Sequence, residues 1–208
     1  MNILITQRVD KIESYNEYRD SIDQRMISWV SGLGLNAITI SNTLANCNNS
    51  LNNQPILNKW LRNISIDAII LSGGNNIDEV PQRDLTEKYL INKAIREHIP
   101  MLGICRGMQM MGIFDGAKLI KIDHHVNSTH PLIHNHDQDF PSKVNSYHNY
   151  SLESCPKSYK VIATSEDGSI EAISHKELPW EGWMWHPERD AIISEINNTR
   201  FMRLIGYE

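Results

Sequence analysis

The chain has 208 residues, of which 40% are hydrophobic and 22% are charged, and its formal net charge is −5. These values are those of a globular protein, and the length predicts a single domain over 1–208 with a sizeable core. No run of lysine or arginine stands out, which argues against a nucleic-acid-binding surface but leaves room for a small anionic substrate.

The cysteine content and the N-terminal residues indicate the cellular compartment in which the protein is expected. The three cysteines, Cys47, Cys105 and Cys155, form no disulfide framework, and such a sparse, odd count is typical of the reducing cytoplasm. Residues 1–6 read directly as a strand, without the basic and apolar regions of a signal peptide. Because no apolar run approaches the length of a membrane span, we expect a cytoplasmic protein with no membrane partner.

Hydrophobic periodicity predicts alternating strands and helices as far as residue 114. The predicted strands are 3–6, 35–40, 66–71 and 100–104. The predicted helices are 15–33, 56–61, 84–97 and 106–114. This alternation is typical of a parallel sheet with right-handed crossovers.

From residue 118 onward the pattern changes to short strand-like runs. These runs are 118–122, 160–164, 169–174, 182–185 and 191–196. Asp167-Gly168 is a strong signal for a tight hairpin turn between two of them. We therefore predict an α/β fold with an open, mostly parallel (mixed) sheet and helices on both faces.

The segment Gly103-Ile104-Cys105-Arg106-Gly107 places a cysteine where a predicted strand runs directly into a predicted helix. A nucleophile on such a sharp turn needs small neighbours, which Gly103 and Gly107 supply. The helix that begins at Arg106 directs its dipole at the sulfur and favours the thiolate. A buried structural cysteine is the alternative. The two glycines and the position at the carboxyl end of a strand favour the nucleophile.

Trp185-His186-Pro187-Glu188 offers partners for this cysteine. On a strand, residues two positions apart share a face, so His186 and Glu188 could act together. The imidazole would take the thiol proton and later protonate the leaving group, while Glu188 would fix the imidazole tautomer. A core histidine and a surface glutamate are the alternative. With Cys105, the pair would complete a Cys–His–acid nucleophile system.

Thiolate attack on a carbonyl creates an oxyanion that needs hydrogen-bond donors. The amide of Arg106 is one candidate because it directly follows the nucleophile. The amide of Gly74 is a second candidate, since Gly73-Gly74 follows a predicted strand that ends at the same sheet edge. An ordinary turn at the end of a strand would also explain these two glycines.

One segment, 124–148, holds six of the nine histidines: His124, His125, His130, His134, His136 and His148. Their spacing fits no familiar zinc motif, and no suitable cysteine or carboxylate cluster accompanies them. The sequence therefore predicts neither a metal nor another cofactor. Only His148 is expected at a substrate pocket.

Six segments, in this order and spread over nearly the whole chain, carry a resemblance to a known family: Ile5-Thr6-Gln7-Arg8, Leu71-Ser72-Gly73-Gly74, Pro100-Met101-Leu102-Gly103-Ile104-Cys105-Arg106-Gly107-Met108-Gln109, Val144-Asn145-Ser146-Tyr147-His148, Asp167-Gly168-Ser169-Ile170-Glu171-Ala172 and Trp185-His186-Pro187-Glu188. Together they resemble the class I glutamine amidotransferase-like superfamily, in the branch of free-standing γ-glutamyl hydrolases. The resemblance implies the flavodoxin-like sheet of that superfamily.

The resemblance also implies a Cys105–His186–Glu188 triad and a γ-glutamyl thioester from which water releases glutamate. It places Gly74 and Arg106 at the oxyanion positions. The residues that it implies for substrate binding are Gly73, Gln109, Ser146, Tyr147 and His148.

Three positions depart from the usual family pattern and bear on which amine leaves. The family often has glutamine where this chain has Met184 and Tyr150, and two glycines where it has Asp115-Gly116-Ala117. None of these positions belongs to the implied triad.

Three classes of function stay open at this point. The first is a hydrolase of a small γ-glutamyl conjugate, for which alkylation of Cys105 should abolish activity and alkylation of Cys47 or Cys155 should not. The second is a glutaminase subunit that passes ammonia to a synthetase partner, although no such partner is indicated. The third is a non-catalytic binding protein, which the complete triad disfavours.

Overall fold

A computed structural model describes residues 1–134, 139–191 and 194–207. Within these ranges the chain forms five α-helices: α1 (Gln24–Gly32), α2 (Pro55–Leu61), α3 (Pro81–Glu97), α4 (Arg106–Phe114) and α5 (Glu195–Leu204). The same ranges contain thirteen β-strands: β1 (Asn2–Ile5), β2 (Arg8–Ile12), β3 (Glu17–Ser21), β4 (Asn36–Thr39), β5 (Ala68–Leu71), β6 (Met101–Ile104), β7 (Leu119–Lys121), β8 (Val126–Pro131), β9 (Lys143–Tyr147), β10 (Tyr150–Leu152), β11 (Tyr159–Thr164), β12 (Ile170–His175) and β13 (Trp180–Trp183).

Seven of the described strands form one mixed sheet in the order β11-β12-β13-β6-β5-β1-β4. The strands from β13 to β4 are all parallel to their neighbours. At the other edge, β12 runs antiparallel to both of its neighbours, β11 and β13. The remaining strands pair in twos, as β2–β3, β7–β10 and β8–β9. The predicted mostly parallel α/β sheet is confirmed.

Both faces of this sheet are buried because side chains alternate along each strand. On β1, Leu4 belongs to the hydrophobic core on one face, whereas Ile3 and Ile5 belong to the core on the other. Helices α2, α3 and α4 contribute to the first core. Helices α1 and α5 contribute to the second. The helices therefore cover both faces, as predicted.

Three loops meet at one edge of the sheet, where parallel strands end side by side. Gly73 and Gly74 follow β5, Cys105 follows β6, and His186 follows β13. Since β5 pairs with β6 and β6 pairs with β13, the carboxyl ends of these three strands are neighbours. This is the edge at which open α/β sheets build their binding sites.

The predicted helix over 15–33 is wrong in its first half. Residues 17–21 form β3, which pairs antiparallel with β2 after a turn at Asn16, whose φ is 48°. The helix begins only after Asp23, whose side chain accepts a hydrogen bond from the Arg25 amide. The spacing of Tyr18 and Ile22 matches the apolar face of the later helix, although Tyr18 is exposed.

Two predictions near the C-terminal end also need correction. The strand over 182–185 ends at Trp183, so His186 and Glu188 do not lie on a strand. His186 instead caps a 3-10 helix at Pro187–Arg189. Of the predicted strand 191–196, residues 192–193 lie outside the described ranges. Ser194 caps α5, which makes Ile196 helical.

The hydrophobic pattern also failed to predict β8, β9, β10 and α5. Four of the six residues of β8 are polar and none is buried, so the strand has no alternation of apolar residues. None of the helices in the described ranges is long and apolar enough to cross a membrane.

Candidate active site

Cys105 lies between β6 and α4 with an unusual backbone conformation, φ 52° and ψ −107°. Its neighbours must be small. A Cβ at Gly107 would lie 2.0 Å from the Leu71 carbonyl oxygen, and one at Gly103 would lie 2.7 Å from the Gly107 carbonyl carbon. The sequence prediction that two glycines permit a sharp turn at Cys105 is therefore supported by the packing.

His186 and Glu188 are both buried, and His186 Nδ1 lies 2.8 Å from Glu188 Oε1. The carboxylate can only accept here, so Nδ1 donates and Nε2 is the nitrogen left for the Cys105 sulfur. The 3-10 turn rather than a strand brings the two side chains together. The two side chains are therefore in contact, but through a 3-10 turn and not on the predicted strand.

Asn145, which the sequence did not single out for a role, fixes the backbone of His186. Its amide nitrogen donates to the His186 carbonyl oxygen at 2.7 Å, and its amide oxygen accepts from the His186 N–H at 2.9 Å. The same amide nitrogen also lies 2.7 Å from Asp190 Oδ1. Asn145 is buried on β9, so this strand helps to set the position of His186.

The electrostatics around Cys105 favour a thiolate. Burial raises the pKa of the Cys105 thiol, but the charge of His186, a hydrogen bond with it and smaller contributions from His148 and the Arg106 amide together outweigh burial, so that the pKa lies below its usual value. Burial lowers the pKa of His186, but Cys105 and then Glu188 outweigh it and raise this pKa to about 9. The two shifts together favour a thiolate–imidazolium pair.

Arg83 of α3 organises the glycine loop, and the sequence analysis missed it. Its guanidinium donates to the carbonyl oxygens of Ser72 at 2.7 Å, Gly73 at 2.9 Å and Gly74 at 2.6 Å. In a trans peptide the N–H points opposite to the C=O. The amide of Gly74 is therefore directed away from Arg83. Arg83 lies one residue before the predicted start of this helix at 84, so the only sequence signal was the opposite charge of Glu87 four residues later.

The side chain of Arg106 points away from solvent and forms buried ion pairs with Asp84 and Glu87. Burial raises the pKa of Glu87, but Arg106 and Arg83 outweigh it and lower this pKa. These pairs hold the start of α4 against α3. The Arg106 amide also donates a hydrogen bond that lowers the pKa of Cys105.

A cavity of about 220 Å³ opens beside Cys105. Its lining includes five residues that the sequence assigned to the site besides Cys105: Gly74, Arg106, Gln109, Tyr147 and His148. Gln109 donates to the Tyr150 carbonyl oxygen at 3.0 Å and lies 3.8 Å from the Met184 sulfur. Tyr150 and Met184, two of the three positions that depart from the family pattern, therefore both contact Gln109.

Two of the predicted binding residues, Gly73 and Tyr147, pack against the imidazole of His186. A Cβ at Gly73 would lie 2.5 Å from His186 Cε1, so Gly73 packs against the imidazole ring. The Tyr147 ring meets the His186 ring edge-on at 5.9 Å. Ser146 does not line the cavity, because its buried hydroxyl donates to the His125 carbonyl oxygen at 2.7 Å.

Of the six clustered histidines, His148 is buried at the cavity, and its Nε2 lies 3.5 Å from Glu171 Oε1. Burial lowers the pKa of His148, but Glu171, with smaller contributions from Cys105 and the Tyr150 carbonyl, outweighs burial and raises this pKa above its usual value. His124 is exposed. His136 lies outside the described residues.

Comparison with known proteins identifies the family. A family model described as glutamine amidotransferase class-I matches residues 20–197. The chain is 33% identical over 144 residues to the γ-glutamyl-CDP-amidate hydrolase of Campylobacter jejuni, a match that covers 66% of this chain and 68% of the relative. It is also 33% identical over 159 residues to anthranilate synthase component 2 of Cyanophora paradoxa, covering 70% and 78% respectively. The chain therefore belongs to the class I glutamine amidotransferase family.

Solved structures agree on the fold. A Thermoplasma acidophilum protein described as a GMP synthase subunit has a TM-score of 0.72 and 22% sequence identity. The superposition covers 100% of this chain and 93% of that one. At this level of identity the similarity concerns the fold, which is that of a glutamine amidotransferase domain.

Proposed function

We propose that the protein is a cysteine-dependent γ-glutamyl hydrolase in which Cys105, His186 and Glu188 act as the catalytic triad. The observation that carries this proposal is the buried His186–Glu188 pair beside a cysteine whose pKa is lowered, at the wall of a cavity. Perturbed titratable groups that converge in a pocket are a recurrent mark of an active site.

The first step forms a bond between Cys105 Sγ and the γ-carbonyl carbon of the substrate. The resulting oxyanion accepts hydrogen bonds from the amides of Gly74 and Arg106. When the intermediate collapses, the C–N bond breaks and the proton on His186 passes to the leaving nitrogen. Throughout, Glu188 accepts from Nδ1 and holds the imidazole ring in place.

The second step hydrolyses the thioester. Water enters after the amine leaves, and His186 takes one of its protons as the oxygen attacks the carbonyl carbon. The C–S bond then breaks and glutamate is released. The thiolate and imidazolium are restored, which is the charge state that the pKa shifts of Cys105 and His186 favour.

For the leaving group, we propose a cytidine diphosphoramidate-type nucleotide, so that the substrate resembles γ-glutamyl-CDP-amidate and the protein acts in capsule biosynthesis. The Campylobacter jejuni relative supports this choice by its name and by its 33% identity. A γ-glutamyl-γ-aminobutyrate-type substrate is the smaller alternative within the same class.

A second cleft next to the cavity could hold such a nucleotide. Its volume is about 550 Å³, within the usual range for small-molecule sites, and it shares Asn75 and Glu79 with the cavity beside Cys105. The β2–β3 pair contributes Lys11 and Tyr18 to its wall. The exposed Tyr18 ring suits stacking on a base. The Lys11 ammonium forms an exposed ion pair with Glu13 at 2.9 Å and would exchange this partner for a phosphate.

A glutaminase subunit is the second candidate function, and the match to a component of a two-component synthase favours it. In that case glutamine would be the substrate and ammonia the product passed to a partner. The chemistry at Cys105 would be the same, so only the leaving group separates the two candidates.

A substrate panel tests both candidates: glutamine, γ-glutamyl-γ-aminobutyrate and a synthetic γ-glutamyl phosphoramidate nucleotide, with glutamate release as the readout. We expect the nucleotide conjugate to have the highest kcat/KM and the Cys105→Ala protein to release no glutamate. Fast turnover of glutamine alone would favour the glutaminase. No release from any compound by a protein with an intact thiol would overturn the hydrolase proposal.

Tyr18→Ala and Lys11→Ala test the nucleotide cleft separately. Both should raise KM for the nucleotide conjugate and leave KM for γ-glutamyl-γ-aminobutyrate unchanged. Tyr15→Ala is the matched control, because Tyr15 is an exposed tyrosine of the same hairpin that does not line the cleft. Equal effects of Tyr15→Ala and Tyr18→Ala would count against a nucleotide at this position.

A further inference from the structure

Three histidines converge on one buried glutamate beside the proposed active site. Nδ1 of His125, Nε2 of His130 and Nε2 of His148 each lie 3.5 Å from Oε1 of Glu171. Glu171 has no exposed surface. The four potential ligand atoms all lie within 4.8 Å of one another. These residues come from β8, β12 and the loops that flank β8 and β9.

The outer nitrogen of each imidazole is already engaged with an oxygen acceptor. His148 Nδ1 lies 3.1 Å from the Tyr150 carbonyl oxygen, and His130 Nδ1 lies 3.1 Å from the Pro131 carbonyl oxygen. His125 Nε2 lies 3.0 Å from Asp167 Oδ2. A nitrogen that faces an oxygen acceptor must carry the proton. In a neutral imidazole, the inner nitrogen then presents a lone pair to Glu171.

Lone pairs that face a buried carboxylate repel one another unless a cation lies between them. Among the described residues, neither oxygen of Glu171 has a hydrogen-bond partner, and Nε2 of His130 and of His148 has none. A separation of 3.5 Å is longer than the roughly 2.7–2.9 Å of a charge-assisted hydrogen bond. A single proton between one ring and Glu171 would still leave the inner nitrogens of the other two rings facing the carboxylate, and protonating all three rings would bury a strong positive charge, which is costly.

The three histidine–Glu171 distances suit a tetrahedral metal ion. With Zn–N and Zn–O bonds of about 2.0–2.1 Å, neighbouring ligands in a tetrahedron lie roughly 3.3–3.4 Å apart. The three neutral histidines carry no charge, so Glu171 balances one of the two positive charges of a divalent ion. Asp167, which contacts the outer nitrogen of His125, balances the other. A carboxylate or carbonyl behind each ligating histidine is the usual outer shell of such sites.

We propose that His125, His130, His148 and Glu171 form a binding site for one zinc-type divalent cation. Imidazole and carboxylate are ligands that suit this class of ion. Bound there, the ion would tie the β8–β9 pair to β12 of the central sheet. It would also fix the ring of His148, which lines the same cavity as Cys105.

Zinc titration of the chelator-treated full chain tests the proposal, by calorimetry and by the visible spectrum of the Co²⁺-substituted protein. The titration uses the Cys105→Ala background, so that the thiolate and His186 cannot supply the site. We expect one ion per chain, a tetrahedral Co²⁺ spectrum and a rise in Tm on zinc addition. If the Cys105→Ala protein binds no zinc, the proposal is overturned.

Ligand variants in the same background locate the ion. His130→Gln and Glu171→Gln should weaken binding by more than ~100-fold, because losing even an outer-shell partner costs about 10–100-fold. His124→Asn is the matched control, since this exposed histidine adjoins His125 but lies outside the cluster. Equal zinc affinity of His130→Gln and His124→Asn would overturn the assignment. If the Glu171→Gln protein does not fold, the zinc affinity of His130→Gln relative to His124→Asn decides whether the site is assigned correctly.

Discussion

Gly73→Ala is a small change whose effect can be worked from the structure. The added Cβ would lie 2.5 Å from His186 Cε1. Ordinary contact begins at about 3.4 Å, so the imidazole must move by about 0.9 Å. Glu188 bonds the imidazole and Asn145 bonds the His186 backbone, so the ring can move only by giving up the position that these contacts set beside Cys105. A misplacement of about 1 Å can cost ~10²-fold in rate, and we expect a loss of that size in kcat.

The assay combines glutamate release with a measurement that needs no substrate. The alkylation rate of Cys105 by iodoacetamide at mildly acidic pH reports the thiolate, and it should fall together with kcat. Gly73 does not have a positive φ, so alanine suits its backbone and Tm should change little. Gly32→Ala is the matched control, because a Cβ at the end of α1 meets no described atom within 4 Å.

A Gly73→Ala protein with wild-type kcat and a wild-type alkylation rate would refute the reasoning. It would mean that His186 is free to move or does not act on Cys105. A large loss of Tm together with activity would also count against it, since the expected effect is confined to the site.

Three further outcomes are expected. His186→Gln should move the midpoint of Cys105 alkylation to higher pH, because the pKa of the thiol is lowered by His186 and raised by burial; a pH profile of alkylation measures this. Arg83→Met should lower the free energy of unfolding by about 3–5 kcal/mol in urea titrations, because Glu87 keeps only part of its buried charge pairing. Gly107→Ala should give little soluble protein, because its Cβ would meet the Leu71 carbonyl oxygen at 2.0 Å and both atoms belong to rigid elements; soluble yield beside Gly32→Ala checks it.

The elements that the sequence predicted well are those with strong local signals. The predicted helix 106–114 has the same bounds as α4, because it starts at the turn after Cys105 and ends before Asp115. Helix α3 begins at Pro81, three residues before its predicted start, since proline suits a first helical turn. The β2–β3 pair was missed because its strands are mostly half-exposed and lack apolar alternation.

The site was predictable where chemistry follows directly from residue type. A cysteine between two glycines and a histidine near a glutamate can be read from the sequence. Arg83 and Asn145 could not be found in this way, because each acts by bonding backbone groups of distant loops. The histidine cluster was hidden for a similar reason, since Glu171 reaches it from β12 through sheet pairing and not through spacing. The expectation of one domain over 1–208 stays a prediction.

The backbone conformation of Cys105 lowers the stability of the fold at the residue that carries the nucleophile. At φ 52° and ψ −107°, a residue with a side chain carries strain on the order of 1–3 kcal/mol, which glycine does not. Replacing Cys105 by glycine should therefore yield a more robust protein that has lost its sulfur but kept its pocket. Such a protein would hold the intact γ-glutamyl conjugate without consuming it. Native mass spectrometry of the protein recovered from a cell extract would then give the mass of the bound conjugate, and the mass of the leaving group follows by subtracting the γ-glutamyl group.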